Sequence, residues 1–181
     1  MKELNKYLSV VDKINNVFGK WVSLLVIPCT LVLFYEVIMR YLFNAPTIWV
    51  HETSNYFFGA LFVLGGAYTL LHSGHVNVEI LYNRMPIRLR AIFDILTSAV
   101  FYLMIGVIFW FGIKVAVISV ESLETSHTVW GPPVYPMKLL VPIGAGLMLL
   151  QGTVKLIRDI GSLITGVPIP SPVAEKEAII E

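Results

Sequence analysis

Residues 53–71 and 95–113 are each nineteen residues long and contain no Asp, Glu, Lys or Arg. A helix rises about 1.5 Å per residue, so a run of that length nearly crosses the roughly 30 Å hydrocarbon layer of a bilayer. In lipid a single segment satisfies its own N–H and C=O groups only as a helix, which makes these runs spanning helices. Two weaker runs join them. Residues 21–43 are uncharged through Tyr35 and then interrupted by Glu36 and Arg40, while 139–154 are uncharged over sixteen residues and hold Pro142. Composition agrees: 56% of residues are hydrophobic and 14% charged, against roughly 45–50% and about 25% in soluble proteins. The expected fold class is all-α integral membrane, with four transmembrane helices at about 21–43, 53–71, 95–115 and 139–157. These form one membrane domain, 1–165.

Basic residues orient the chain, because cytoplasmic loops near membrane ends carry the Lys/Arg excess. Lys2, Lys6, Lys13, Lys20, Arg84, Arg88, Arg90, Lys155, Arg158 and Lys176 fall on one side of the layout, and Arg40, Lys114 and Lys138 on the other. Both termini are therefore expected in the cytoplasm, with Trp49, Trp110 and Trp130 near the outer interface and Trp21 near the inner one. The amino-terminal run is too long for a signal-peptide core and lacks a small-residue cleavage site, so it is expected to stay as an anchor. Leu4, Leu8, Val11, Asn15 and Phe18 recur at helical spacing before it, the pattern of a short amphipathic helix on the membrane surface. Residues 166–181, which include Val-Pro-Ile-Pro-Ser-Pro, are expected to form a disordered cytoplasmic tail.

The sequence argues against several function classes. Thirteen Lys+Arg against twelve Asp+Glu give a formal charge of +1, too little basic excess to neutralise a nucleic-acid backbone. Cys29 is the only cysteine, which rules out an intrachain disulfide or a thiolate cluster. His51, His72, His75 and His127 lie in loops or at helix ends, whereas haem in a bundle requires His on facing helices within the membrane. Hydrolase, zinc-protease and phosphate-loop motifs are missing, so no catalytic residue, metal or cofactor is expected.

Glu36 and Arg40 stand four apart with the acid N-terminal, the favoured order for an intrahelical pair. Glu52 heads the next helix across a short loop, and the preferred reading is a loop-closing ion pair between Arg40 and Glu52. Small residues recur at sevens: Gly59 and Gly66, Ala60 and Ala67, Ala99 and Gly106, Ala145 and Gly152. In lipid such residues let helices approach closely. The spacing leaves open whether each pair faces another helix of this chain or another subunit.

Arg40-Tyr41-Leu42-Phe43-Asn44-Ala45-Pro46, then Trp49-Val50-His51-Glu52, Leu64-Gly65-Gly66-Ala67 and Gly74-His75-Val76-Asn77-Val78-Glu79, resemble the small membrane subunit (DctQ type) of tripartite ATP-independent periplasmic, or TRAP, transporters. The likeness covers roughly residues 36–90. His51 stands where the family often has Glu, and Glu79 where it often has Asp. The resemblance implies a multi-pass protein of the bacterial inner membrane that neither binds nor moves substrate itself. It would brace a large membrane subunit carrying a sodium-coupled elevator for organic anions, which a periplasmic substrate-binding protein delivers. It also implies structural or interface roles for Arg40, Asn44, Trp49, Glu52, Gly66, His75 and Glu79. The proline-stiffened loop at 128–136, with Trp130, Pro132, Pro133 and Tyr135, is a candidate contact for the delivery protein or an aromatic anchor in lipid. Two other classes remain open for a small helical membrane chain: a haem electron-transfer subunit, which a Soret band would reveal, and an independent channel or transporter.

Overall fold

The computed structural model describes residues 2–72 and 86–166. His75, Glu79, Arg84 and the tail beyond Gly166 lie outside the described residues. Among those described there are five helices: α1 Lys2–Ser23, α2 Val26–Tyr41, α3 Val50–Leu71, α4 Ile87–Glu121 and α5 Tyr135–Thr165. Four helical stretches are long and apolar enough to cross a membrane, because α1 and α2 together count as one stretch, Lys6–Tyr41.

The break between α1 and α2 has a local cause. Pro28 lacks the N–H that would bond to the Leu24 carbonyl, and that carbonyl instead accepts from Ile27 at 3.1 Å, three residues on. Leu24 and Leu25 likewise bond back three residues, to Trp21 and Val22. The segment expected as one helix over 21–43 is thus bent near its start and ends at Tyr41. The other helices run past the uncharged stretches that announce them. At 35 residues, α4 is about 52 Å long, so its charged ends reach beyond a 30 Å core or the helix tilts.

α5 is the hub, with α4 along one side and α3 along the other; α2 packs chiefly on α3, and α1 crosses both α3 and α5. Close approach is greatest where Gly144 of α5 meets α3. A Cβ there would stand 2.4 Å from the Val63 carbonyl oxygen, so only glycine lets the two backbones touch. Gly66 lies against the Met148 side chain and Gly152 against the Phe101 ring, and Ala67 and Ala145 are buried. Ala99 is exposed and Gly106 has nothing within 4 Å, so this pair turns outward. The small-residue pattern therefore divides between the interior and one free face of α4.

The face of α1 turned to the bundle carries Leu8, Val11, Asp12, Asn15 and Val22, all buried. Phe18 is on the exposed side, contrary to the expected stripe. A second apolar edge, Val10, Ile14, Val17 and Trp21, is exposed.

Gly144→Ala is expected to force α3 and α5 apart and lower stability by about 1–3 kcal/mol. Gly65→Ala, with nothing within 4 Å of the added methyl, should be neutral or slightly stabilising. Unfolding of the purified variants in detergent measures both.

Candidate functional site

Polar side chains gather at two levels of the bundle. At the end carrying the loops 42–49 and 122–134, Arg40 donates to Glu36 Oε1 from Nε at 3.0 Å and Nη2 at 2.6 Å. The other oxygen, Oε2, accepts from the Thr47 backbone N–H at 3.1 Å and from the Thr47 hydroxyl. Glu36 thus fastens the α2–α3 loop to α2. Asn44 turns the chain at φ 50°, a left-handed conformation that Asn adopts more readily than most residues, and Ala45 N–H reaches back to the Met39 carbonyl at 3.0 Å. Trp49 precedes α3; its carbonyl accepts from Thr53 N–H and Oγ1, and its ring stacks on Tyr35 at 5.9 Å.

The expected pair between Arg40 and Glu52 does not form. Arg40 finds its carboxylate one helical turn away, at an i,i+4 spacing that needs no reach across the hairpin. With 57% of the Arg40 side chain exposed, that pair contributes only a few tenths of a kcal/mol. Its larger effect is to leave Glu36 Oε2 aimed at Thr47.

Glu52 faces the other loop instead. It is 8% exposed, and its Oε1 accepts from the Ser126 hydroxyl at 3.3 Å and from the Thr128 hydroxyl. Oε2 is buried with no hydrogen-bond partner among the described residues. The first turn of α3 offsets part of that cost, since backbone N–H groups at a helix start favour negative charge. The 122–134 loop is closed by Ser126 N–H to Pro132 C=O at 2.8 Å and Val134 N–H to Glu124 C=O at 2.9 Å. Tyr56 reaches it from α3, donating to the Pro133 carbonyl at 2.7 Å. Within the loop Trp130 is 43% exposed and Pro133 is exposed, but Pro132 is buried and Tyr135 half-buried at the start of α5. The candidate outer contact therefore shrinks to Trp130 and Pro133. Pro132 is buried, with its carbonyl accepting from the Ser126 N–H inside the loop.

Sequence reasoning missed the second level. Asp12 of α1, 1% exposed, pairs with Arg158 of α5 and accepts from Gln151 Nε2 at 3.0 Å. Asn15 Nδ2 donates to Gln151 Oε1 at 2.7 Å. Beside them Lys155 bridges Asp94 at 3.3 Å and Asp159 at 3.0 Å, joining α4 to α5. The available signal was Asp12 and Asn15, three apart on the face that also carries Leu8 and Val11. Of the histidines, His51 and His127 are exposed, and His72 Nδ1 stands 3.0 Å from the Tyr68 carbonyl. Among the described residues no three His, Cys, Asp or Glu side chains are grouped so as to hold a metal ion.

Two outcomes follow from this geometry. Removing one member of the buried pair, as in Asp12→Ala or Arg158→Ala, leaves the other charge uncompensated and should cost about 3–5 kcal/mol, while Asp12→Leu with Arg158→Met should recover most of it in the same unfolding assay. Glu124 lies outside the spanning segments, and the Lys138 ammonium, with the Ser119 hydroxyl second, holds its carboxyl below the ordinary 4.5. A depressed folded pKa contributes stability that is present above 4.5 and lost as pH falls through the lower folded value. Protease resistance of the 122–134 loop should therefore be flat from neutral pH to about 5 and fall below about 4.5, and Glu124→Gln should remove the dependence.

The family described as "Tripartite ATP-independent periplasmic transporters, DctQ component" matches residues 29–161. The C4-dicarboxylate TRAP transporter small permease protein DctQ of Vibrio cholerae serotype O1 is 34% identical over 70 residues, which cover 39% of this chain. The chain spans only 30% of that relative's length in the match. The matched region takes in both hairpin ends and the α5 hub, and the chain belongs to the DctQ component family of TRAP transporters, as a multi-pass membrane component of a transporter.

Proposed function

We propose that this chain is the small membrane subunit of a sodium-coupled TRAP transporter for organic anions. It sits in the bacterial inner membrane with both termini in the cytoplasm and braces the large subunit that carries the substrate. The loop tip at Trp130 and Pro133 meets the periplasmic substrate-binding protein. The observation that carries this reading is the division of labour within the bundle. The charged groups Glu36, Arg40, Asp12, Arg158, Glu124 and Lys138 are engaged in ties within the chain. α4 meanwhile turns outward a face of Leu96, Val100, Leu103, Val107 and Trp110, all exposed at alternating spacings of four and three, with Ala99 and Gly106 beside it. That spacing is the seam by which one helix packs along another, and small residues beside it permit close approach in lipid. The ten-to-three division of Lys and Arg supports the orientation.

The test uses Gly106, whose free space makes it a silent position in the chain alone. Gly106→Leu should leave the stability of the purified chain unchanged or raise it by up to about 1 kcal/mol. It should lower recovery of the complex with the large subunit tenfold or more, a loss of about 1.4 kcal/mol of association. Cells without this chain should lose organic-anion uptake. Transport by this chain alone in proteoliposomes would overturn the bracing role, and full recovery of the Gly106→Leu complex would remove α4 as the contact.

A further inference from the structure

Helix α1 crosses the bundle at a steep angle and at one level. Tyr7 bonds to Thr153 at 3.3 Å and Asn15 to Gln151 at 2.7 Å, while Leu8 and Val11 between them pack on Val154 and Ile157, so the partners stay within residues 151–158 of α5, about 10 Å, and do not advance along α5 in step with α1. Asp12 reaches Arg158 on the same stretch, and Gly19 lies against Tyr68 of α3. Counted from the loop end, residues 151–158 stand about 24–35 Å along α5, and Tyr68 stands about 27 Å along α3. Those depths match one hydrocarbon thickness of roughly 30 Å. With the loop end set at one boundary of such a layer, the bundle brings α1 to the opposite boundary.

Three sectors divide its circumference. One is spent on α3 and α5. The next is apolar and exposed, a shallow groove of about 540 Å³ lined by Val10, Lys13, Ile14, Val17, Phe18 and Trp21. Along the edge of that groove run Lys6, Lys13 and Lys20 at intervals of seven, each only about 20° short of two full helical turns, so they form one line. Lys6 and Lys13 are exposed.

We propose that α1 is an anionic-phospholipid site: the lysine line, with Lys6 and Lys13 as its contacts, holds acidic headgroups while the groove beside it takes the first methylenes of the acyl chains. The occupant is chosen by charge. An apolar edge alone would fit any lipid, whereas ammonium groups at the rim favour phosphatidylglycerol-type headgroups over zwitterionic ones by up to about fivefold each. The inference stands apart from the transport reading, because it is read on this chain without a large subunit.

Trp21, 69% exposed at the end of the groove, is a built-in reporter. The full chain is placed in nanodiscs holding either brominated phosphatidylglycerol or brominated phosphatidylcholine at equal fraction. The Trp21 signal is taken as the difference between the chain and its Trp21→Phe variant. Quenching by the anionic lipid should exceed that by the zwitterionic one about fivefold at low salt, and should approach parity in about 0.5 M salt. Lys6→Gln with Lys13→Gln should also bring the ratio to near one, with an unchanged melting profile showing that the bundle is intact. Equal quenching in the parent, or a preference that survives the double substitution, overturns the proposal. Quenching by neither lipid also overturns it.

Discussion

Three of the other four helices pack on α5, and α5 can receive them because its backbone is open at the contact points. In water, burial of apolar side chains would hold such a bundle together. In lipid that drive is largely absent, since acyl chains are as apolar as Leu or Val, and what remains is contact density together with a few polar ties. Contact density depends on how near two backbones come. Gly144 sets that distance for α3, where the Val63 carbonyl occupies the place of a Cβ. Gly152 does so for α4 through the ring of Phe101. The depth of α3 against α5 then decides that Tyr56 reaches Pro133 and that Glu52 comes beneath Ser126 and Thr128. The polar ends are consequences of the apolar middle.

The two polar levels differ in how they are held. Asp12, Arg158, Gln151 and Asn15 form a connected set between helices, in which the carboxylate has both an ion-pair partner and an amide donor. Breaking it strands a charge. At the loop end the ties are local: Glu36 to Thr47 across one loop, and Glu124 to Lys138 across the other. Glu52 is the exception, a buried carboxylate whose Oε2 receives no donor among the described residues. A buried acceptor left in that state costs about 1–3 kcal/mol, which the hydroxyls on Oε1 and the start of α3 offset in part. It is the least satisfied group at that end.

Helix existence was legible because lipid imposes a severe rule on sequence: about twenty apolar residues, few charges. That rule is silent about where a helix stops once it leaves the hydrocarbon. Ile87 to Glu121 continues well beyond 95–115 for that reason. Side-chain pairing was legible only within a turn. Glu36 with Arg40 is a four-residue relation and was visible, whereas choosing between Glu36 and Glu52 for Arg40 required the direction in which α3 presents its first turn. Asp12 with Arg158 joins positions 146 apart and follows from the crossing of α1 over α5, which no local pattern encodes. The small residues were visible as a repeat, but only packing separated Gly66 and Gly152 from Gly106, and Gly144 lay outside the repeat. The resemblance around the first hairpin named the family while leaving the α1–α5 contact unmentioned, because the likeness begins at about residue 36.

The bracing role proposed for this chain requires a bundle that resists deformation without hiding the surface it offers. The bundle meets both demands by sorting residue types between faces rather than between helices. α4 illustrates it. Phe101 and Gly112 face α5, Gly112 against Val141 and Pro142, and Asp94 ties α4 to Lys155. The opposite side keeps Leu96, Val100, Leu103 and Val107 free and leaves the space beside Gly106 open. Close packing on one side limits how far the other can flex, since an interior at crystal-like density yields little to a sideways load. Lys114, over the rings of Trp110 and Phe111 at 5.2 and 5.7 Å, places a cation next to the upper part of that free face. In the proposed contact with a large subunit, a charge seated on aromatic rings near the membrane boundary would resist being drawn into the core and so hold α4 at one depth.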